Sequence, residues 1–133
     1  MISKVIYKGS LRTEATHLKS GNTIITDAPT DNQGKGEAFA PSDLVASAVA
    51  SCMLTVMGIF AQKNGINIDD TFAEVGKTMS SNPRMINSIS IKIHFKHPLT
   101  DQEKKKLERV AKTCPVEASL NEKIKKSVEF IYT

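Results

Sequence analysis

From Leu44 to Ala61 the chain carries no charged side chain. A run of that length must be removed from water, and it is at the lower limit for crossing a bilayer. Ser47, Ser51 and Thr55 interrupt it with hydroxyls, alanines outnumber leucines, and no aromatic belt or basic cluster marks its ends. Those features argue against a membrane span. The expectation is a helix buried on nearly all sides by protein. Pro41-Ser42-Asp43 supplies its start, with proline suited to the first turn and Ser42 or Asp43 able to take up free N–H groups. Asn64-Gly65 ends it.

Around this helix the periodicity predicts strands. Ile2 to Lys8 alternates apolar and polar residues, Gly9-Ser10 turns the chain, and Leu11 to His17 returns as the second arm of a hairpin. After the turn Ser20-Gly21-Asn22 comes a short strand, Thr23 to Thr26. Asp27 to Gly36, rich in Pro, Gly, Asn and Asp, reads as a loop. An extended segment is expected over Ile66 to Met79, broken at Ser81-Asn82-Pro83. Ile89, Ile91, Ile93 and Phe95 then alternate with Ser90, Lys92 and His94, the pattern of a strand with one buried face. Thr100-Asp101-Gln102-Glu103 is a capping box for a helix whose Leu107, Val110 and Ala111 form one apolar stripe. Cys114-Pro115 stops that helix and can begin a short one, Pro115 to Leu120. A strand over Ile124 to Tyr132 follows. Strands, helix, strands, helices and strand in that order predict an α+β fold.

With 133 residues, 40% apolar and 24% charged, the chain suits one globular domain spanning residues 1–133. The net charge of +4 arises largely from lysines at Lys104 to Lys106 and at Lys123, Lys125 and Lys126. Three arginines and no tryptophan leave those lysines without the forks and stacking rings that grip nucleic acid, so a solvated face is the expectation. The first residues lack the apolar stretch and small-residue cleavage site of a secretory signal, so a cytoplasmic protein is the expectation. In that compartment structural disulfides are rare. Cys52 and Cys114 are therefore read as free thiols or as a transient redox couple.

Small residues from Ala46 to Ser51 precede Cys52 and allow close approach of a backbone or a ligand. A free cysteine often only fills space. Cys114 sits at a helix boundary, where unpaired N–H groups favour a thiolate. A low-pKa thiol beside another thiol can attack a peroxide bond, become a sulfenic acid and condense to a disulfide that an external dithiol reduces. His17, His94 and His97 have no metal-ligand spacing with either cysteine, so no metal is expected. Acyl transfer lacks a histidine placed as general base. Met53, Met57 and Phe60, at helical spacing, are core or pocket lining.

The block from Phe39 through Pro41-Ser42-Asp43 to Ser51-Cys52, with Cys114-Pro115-Val116 near the end, resembles the OsmC/Ohr family of hydroperoxide reductases. The N-terminal hairpin, the Pro/Gly-rich loop and Pro83-Arg84 before an alternating strand extend the resemblance over almost the whole chain. It implies an intertwined homodimer in which long central helices are wrapped by antiparallel sheets from both subunits. It further implies Cys52 as the peroxidatic thiol, Cys114 as the resolving thiol, an organic hydroperoxide as substrate, an external dithiol as reductant and no bound cofactor. An arginine near the N-terminus would hold Cys52 as thiolate. Arg12 is the first choice and Arg84 the second, and a cation is what a mid-helix thiol in apolar surroundings requires to ionise.

One position departs from the family pattern. Where those peroxidases carry a glutamate ten positions before the cysteine, this chain has Ser42. Asp43 or Glu37 takes over that role, or Asp43 only caps the helix. The alternative to a peroxidase is a non-catalytic protein that holds an apolar small molecule on the same scaffold.

Overall fold

The computed structural model describes residues 1–133, which divide into two compact units, Met1–Val45 and Ala46–Thr133.

The first unit is a three-stranded antiparallel sheet in the order β1-β2-β3, with β1 Ser3–Gly9, β2 Arg12–His17 and β3 Thr23–Asp27. The hairpin between β1 and β2 is tight because Gly9, Ser10 and Leu11 all take left-handed backbone angles. Such angles are rare for a leucine. β3 runs one residue further than the alternation suggested. Asp27 pairs with Arg12 across the sheet, and its N–H donates to the Phe39 carbonyl at 3.0 Å, so it belongs to the strand and not to the loop. The remaining loop contains a 3₁₀ turn at Thr30–Asn32. It folds so closely on itself that a Cβ on Gly34 would lie 1.7 Å from the Ala28 carbonyl oxygen, which leaves only glycine able to stand there. Within this unit only Thr26, Asp27 and Ala40 are buried, while Val5, Tyr7, Ile24, Ile25 and Phe39 are exposed.

Helix α1, Pro41–Lys63, begins in the first unit and continues through the second. Gly65, with φ +64°, ends it in the left-handed conformation, and the Ile66 N–H closes the last turn on the Ala61 carbonyl at 2.9 Å. The second unit continues with β4 Phe72–Ser80, β5 Met85–His94, α2 Asp101–Ala111, α3 Pro115–Ala118 and β6 Lys125–Ile131. Its sheet order is β4-β5-β6. β4 and β5 form an antiparallel hairpin, but β6 lies parallel to β5. This sheet is mixed where an antiparallel one was expected. Parallel neighbours need a long crossover, and the segment through α2 and α3 provides it.

The extended segment expected from Ile66 begins only at Phe72. Asn67 Oδ1 accepts the Asp69 N–H at 2.9 Å and Asp70 takes a left-handed φ of 63°, so local turn chemistry wins over the apolar pattern there. The capping box of α2 is complete. Thr100 Oγ1 accepts the Glu103 N–H at 3.1 Å, and Glu103 Oε2 accepts the Thr100 N–H at 2.9 Å.

The core lies in this second unit. Val49, Ala50, Met53, Met57 and Ala61 form the buried stripe of α1 and join Ile89, Ile91, Ile93, Phe95, Leu107 and Ala111. Within one chain the helix is buried along one stripe and not, as expected of it, on nearly all sides. Ser51, Thr55 and Ile59 are exposed, because a single helix facing one sheet hides one stripe.

Candidate active site

Cys52 stands one turn beyond Val49 on α1, and its side chain is partly accessible. Cys114 is brought to the same stretch of helix by the break between α2 and α3. Proline at the first position of α3 ends the preceding run and leaves Cys114 as the N-cap, where its sulfur accepts the Glu117 N–H at 3.3 Å. The Cys114 S–H points at the Val49 carbonyl, 3.8 Å away. Cys114 is fully buried, at 0% exposure. Both thiols are free.

The environment of Cys114 corrects one expectation. Its helix-capping position favours a thiolate, through the N–H groups of Glu117 and Val116, yet the thiol is pushed up from its ordinary value. Burial is the largest cause, and the hydrogen bond with Cys52 adds to it. Desolvation outweighs one short helix end, so Cys114 is held as the neutral thiol. Cys52 packs, half-buried, against the buried cluster that includes Cys114.

Met53, Ala111, Val128 and Phe130, with Glu108, Lys112, Glu117 and Lys126, line a cavity of about 480 Å³ to whose walls neither cysteine contributes. Met57 lies wholly in the core, and Phe60 packs half-buried against it.

In the first unit Arg12 faces Asp27. Its Nε and Nη2 donate to the two carboxylate oxygens at 2.7 and 2.8 Å. The guanidinium holds the Asp27 carboxyl below the usual carboxylate range against the opposing effect of burial. The Glu37 backbone N–H also donates to Asp27 Oδ2, at 3.2 Å. Asp43 Oδ2 accepts the Ala40 N–H at 2.9 Å, which ties the carboxylate to the entry of α1. Arg84 is exposed in the turn between β4 and β5. His94 stacks on Phe72 with ring centroids 4.5 Å apart, and its Nε2 lies 2.6 Å from Glu74 Oε1.

The structure thus brings Cys52 and Cys114 together in one unit and joins Arg12 to Asp27 in the other. Asp27 is the residue that sequence reasoning did not single out. It opens a segment rich in turn formers and so reads as loop. No local signal marks it: only the register of the folded sheet, in which the third strand runs one residue further, sets it opposite Arg12.

Residues 34–129 match the family model described as OsmC-like protein. Among solved structures, the chain is similar to a Psychrobacter arcticus protein provisionally named as osmotic stress induced and detoxification response. The two share 50% identity over 98% of this chain and 95% of that one, with a TM-score of 0.94. An OsmC-like protein from Mycoplasma pneumoniae has the same fold at 20% identity, with 98% and 95% of the two chains covered and a TM-score of 0.81. An organic hydroperoxide resistance protein from Legionella pneumophila does so at 16% identity, with 98% and 97% covered and a TM-score of 0.76. No curated protein matches the chain.

Proposed function

This chain belongs to the OsmC-like protein family, and from that premise we propose that it is a thiol-dependent peroxidase reducing organic hydroperoxides through Cys52 and Cys114. The observation that carries the reading is the pairing of a partly accessible thiol on a long helix with a fully buried one delivered by a helix break. The accessible sulfur meets substrate and the hidden one waits for the oxidised product. That division of labour is what a two-cysteine cycle needs.

The Cys52 thiolate attacks the outer peroxide oxygen, the O–O bond breaks, and the departing alkoxide takes a proton to leave as the alcohol. Cys52 is then a sulfenic acid. Cys114 attacks its sulfur, water leaves, and a disulfide joins the two residues. An external dithiol reduces that bond and is itself oxidised to a disulfide, restoring both thiols. One hydroperoxide and one dithiol give one alcohol, one water and one oxidised dithiol, so two electrons pass in each cycle. No bound cofactor takes part. Arg12 supplies the positive charge that keeps Cys52 ionised, in the role the family assigns to an N-terminal arginine.

The working form in this reading is a cytoplasmic homodimer. A three-stranded sheet with Val5, Tyr7, Ile24 and Ile25 in water, and a helix whose charge-free stretch from Leu44 to Ala61 has only one stripe buried, are surfaces that a second subunit would cover.

Cys52→Ser is expected to abolish consumption of cumene hydroperoxide with dithiothreitol as reductant. Cys114→Ser is expected to give a single turnover and then stop with Cys52 oxidised. Full turnover by the Cys52 variant refutes the assignment. Thiols that stay reduced under peroxide while an apolar molecule co-purifies would instead favour a binding protein.

A further inference from the structure

Strand β6 turns Lys126, Val128 and Phe130 to one face and leaves Lys125, Ser127 and Glu129 on the exposed one. Val128 and Phe130 pack half-buried against the core. Lys126 shares their face and is half-buried with them. A lysine in that position is costly unless its ammonium meets an opposite charge or water. No carboxylate of the chain forms an ion pair with it.

Lys126 opens instead onto the cavity of about 480 Å³, whose apolar wall is made by Val128, Phe130 and the buried Met53 and Ala111. Three more charged side chains reach the same lining. Glu108 and Lys112 stand one turn apart on α2, in the order that favours an ion pair along a helix. They do not pair. Glu108 Oε2 accepts the Tyr132 hydroxyl at 2.5 Å, and that ring is held by Phe95, stacked on it at 5.1 Å, and by Lys104 Nζ, 4.7 Å from its centroid. Burial, and then Glu108, raise the phenol above its ordinary range, so it stays a donor at neutral pH and fixes the carboxylate where it stands. Glu117, half-buried on α3, forms no ion pair either.

Two ammonium groups and two carboxylates, left unpaired around an apolar wall, suit a ligand that carries both signs and an apolar body of its own. A simple anion would face the carboxylates and a simple cation the lysines, each at a Coulombic cost. The volume lies within the range of small-molecule sites. We propose that this cavity binds a zwitterionic small molecule, an α-amino acid with a large apolar side chain. Its carboxylate meets Lys126 and Lys112, its ammonium meets Glu108 and Glu117, and its side chain lies against Met53, Val128 and Phe130. Neither cysteine contributes to these walls, so the site is separate from the thiol pair and does not depend on its chemistry.

The test is calorimetric titration of the full chain, with both thiols reduced, using three probes that share one apolar body. They are L-phenylalanine, 3-phenylpropionate, which lacks the ammonium, and 2-phenylethylamine, which lacks the carboxylate. L-phenylalanine is expected to bind saturably with a Kd of about 1 mM or tighter, and each single-charge probe about tenfold more weakly. Lys126→Gln and Glu117→Gln should each weaken L-phenylalanine binding about tenfold. Lys112→Gln, at an exposed position of the same lining, takes the place of Lys126→Gln if that variant does not fold. Methyl spectra of methionine-labelled protein locate the ligand, and the Met53 signal should move as L-phenylalanine saturates. No saturable heat with L-phenylalanine up to about 10 mM overturns the proposal. So does a single-charge probe that binds within about threefold of it, which would mean a plain ionic or apolar site. Parental affinity in the lysine or Glu117 variants, or a Met53 signal that stays in place at saturation, also overturns it.

Discussion

Residues 1–45 and residues 46–133 are held together by different physics. The second unit has a continuous apolar core in which a helix stripe, the inner face of β5 and the inner side of α2 interlock, with Cys114 among the buried side chains. The first unit has no such core. Its buried side chains are Thr26, Asp27 and Ala40, and what holds it is a ladder of backbone hydrogen bonds, a cross-strand ion pair and the contact between the Thr13 and Thr26 hydroxyls. A packed core fixes where a sulfur sits. A hydrogen-bonded carboxylate fixes where a cation points.

The difference is sharpest under substitution. Phe95 is buried and stacks on Tyr132 with ring centroids 5.1 Å apart, so Phe95→Ala is expected to cost about 3–5 kcal/mol of stability. Urea denaturation measures it, and a loss below about 1 kcal/mol would mean the second unit is not packed as described. Val5 in the first unit is exposed within the chain. If a second subunit covers it, the parent's melting temperature should rise with protein concentration and Val5→Ser should cost about 1–2 kcal/mol. A change within about 0.5 kcal/mol, with no concentration dependence, would leave that sheet truly solvent-facing and count against the homodimer.

A smaller effect separates the units by pH. Asp27 titrates below its ordinary range because Arg12 donates to it, so its contribution is complete above about pH 4, the unfolded value. That contribution is lost as pH falls through the lowered folded value. Arg12 has a side chain 35% exposed, and solvent screens the pair. In the second unit, burial and then the hydrogen bond from Tyr132 to Glu108 Oε2 at 2.5 Å raise the phenol above its ordinary range. Its contribution is complete below about pH 10 and is lost as pH rises toward the raised folded value. Asp27→Asn should therefore flatten the acid limb of the stability profile and Tyr132→Phe the alkaline limb. Stability measured across pH checks both, and the opposite assignment of limbs would contradict the stated causes.

How much of this the sequence discloses follows the same division. Strict alternation at Ile89, Ile91, Ile93 and Phe95, the capping box at Thr100 and the small-residue run before Cys52 are local signals, and the elements they mark form where the pattern places them. Segments ruled by side-chain to backbone bonds were not legible. Asn67 and Asp70 turn a stretch whose composition suits a strand. The parallel pairing of β5 with β6 depends on a crossover that periodicity cannot reveal. Arg12 and the two cysteines stood out as chemistry-bearing residues. Asp27 did not, because its place depends on a register across two strands and nothing in its neighbourhood signals one. The direction of the Cys114 shift was hidden for a related reason. The sequence reveals a helix boundary, whereas complete burial is a property of the assembled core.

The most direct measurement is to add one equivalent of cumene hydroperoxide to the fully reduced protein, then count the remaining thiols and map the peptides by mass. The account expects both thiols to vanish together, one equivalent of cumyl alcohol to form, and a single intrachain bridge to join the peptides of Cys52 and Cys114. Two thiols still titratable after the peroxide has been given time to react, or oxidation of Cys52 beyond the sulfenic state with Cys114 left reduced, would contradict it.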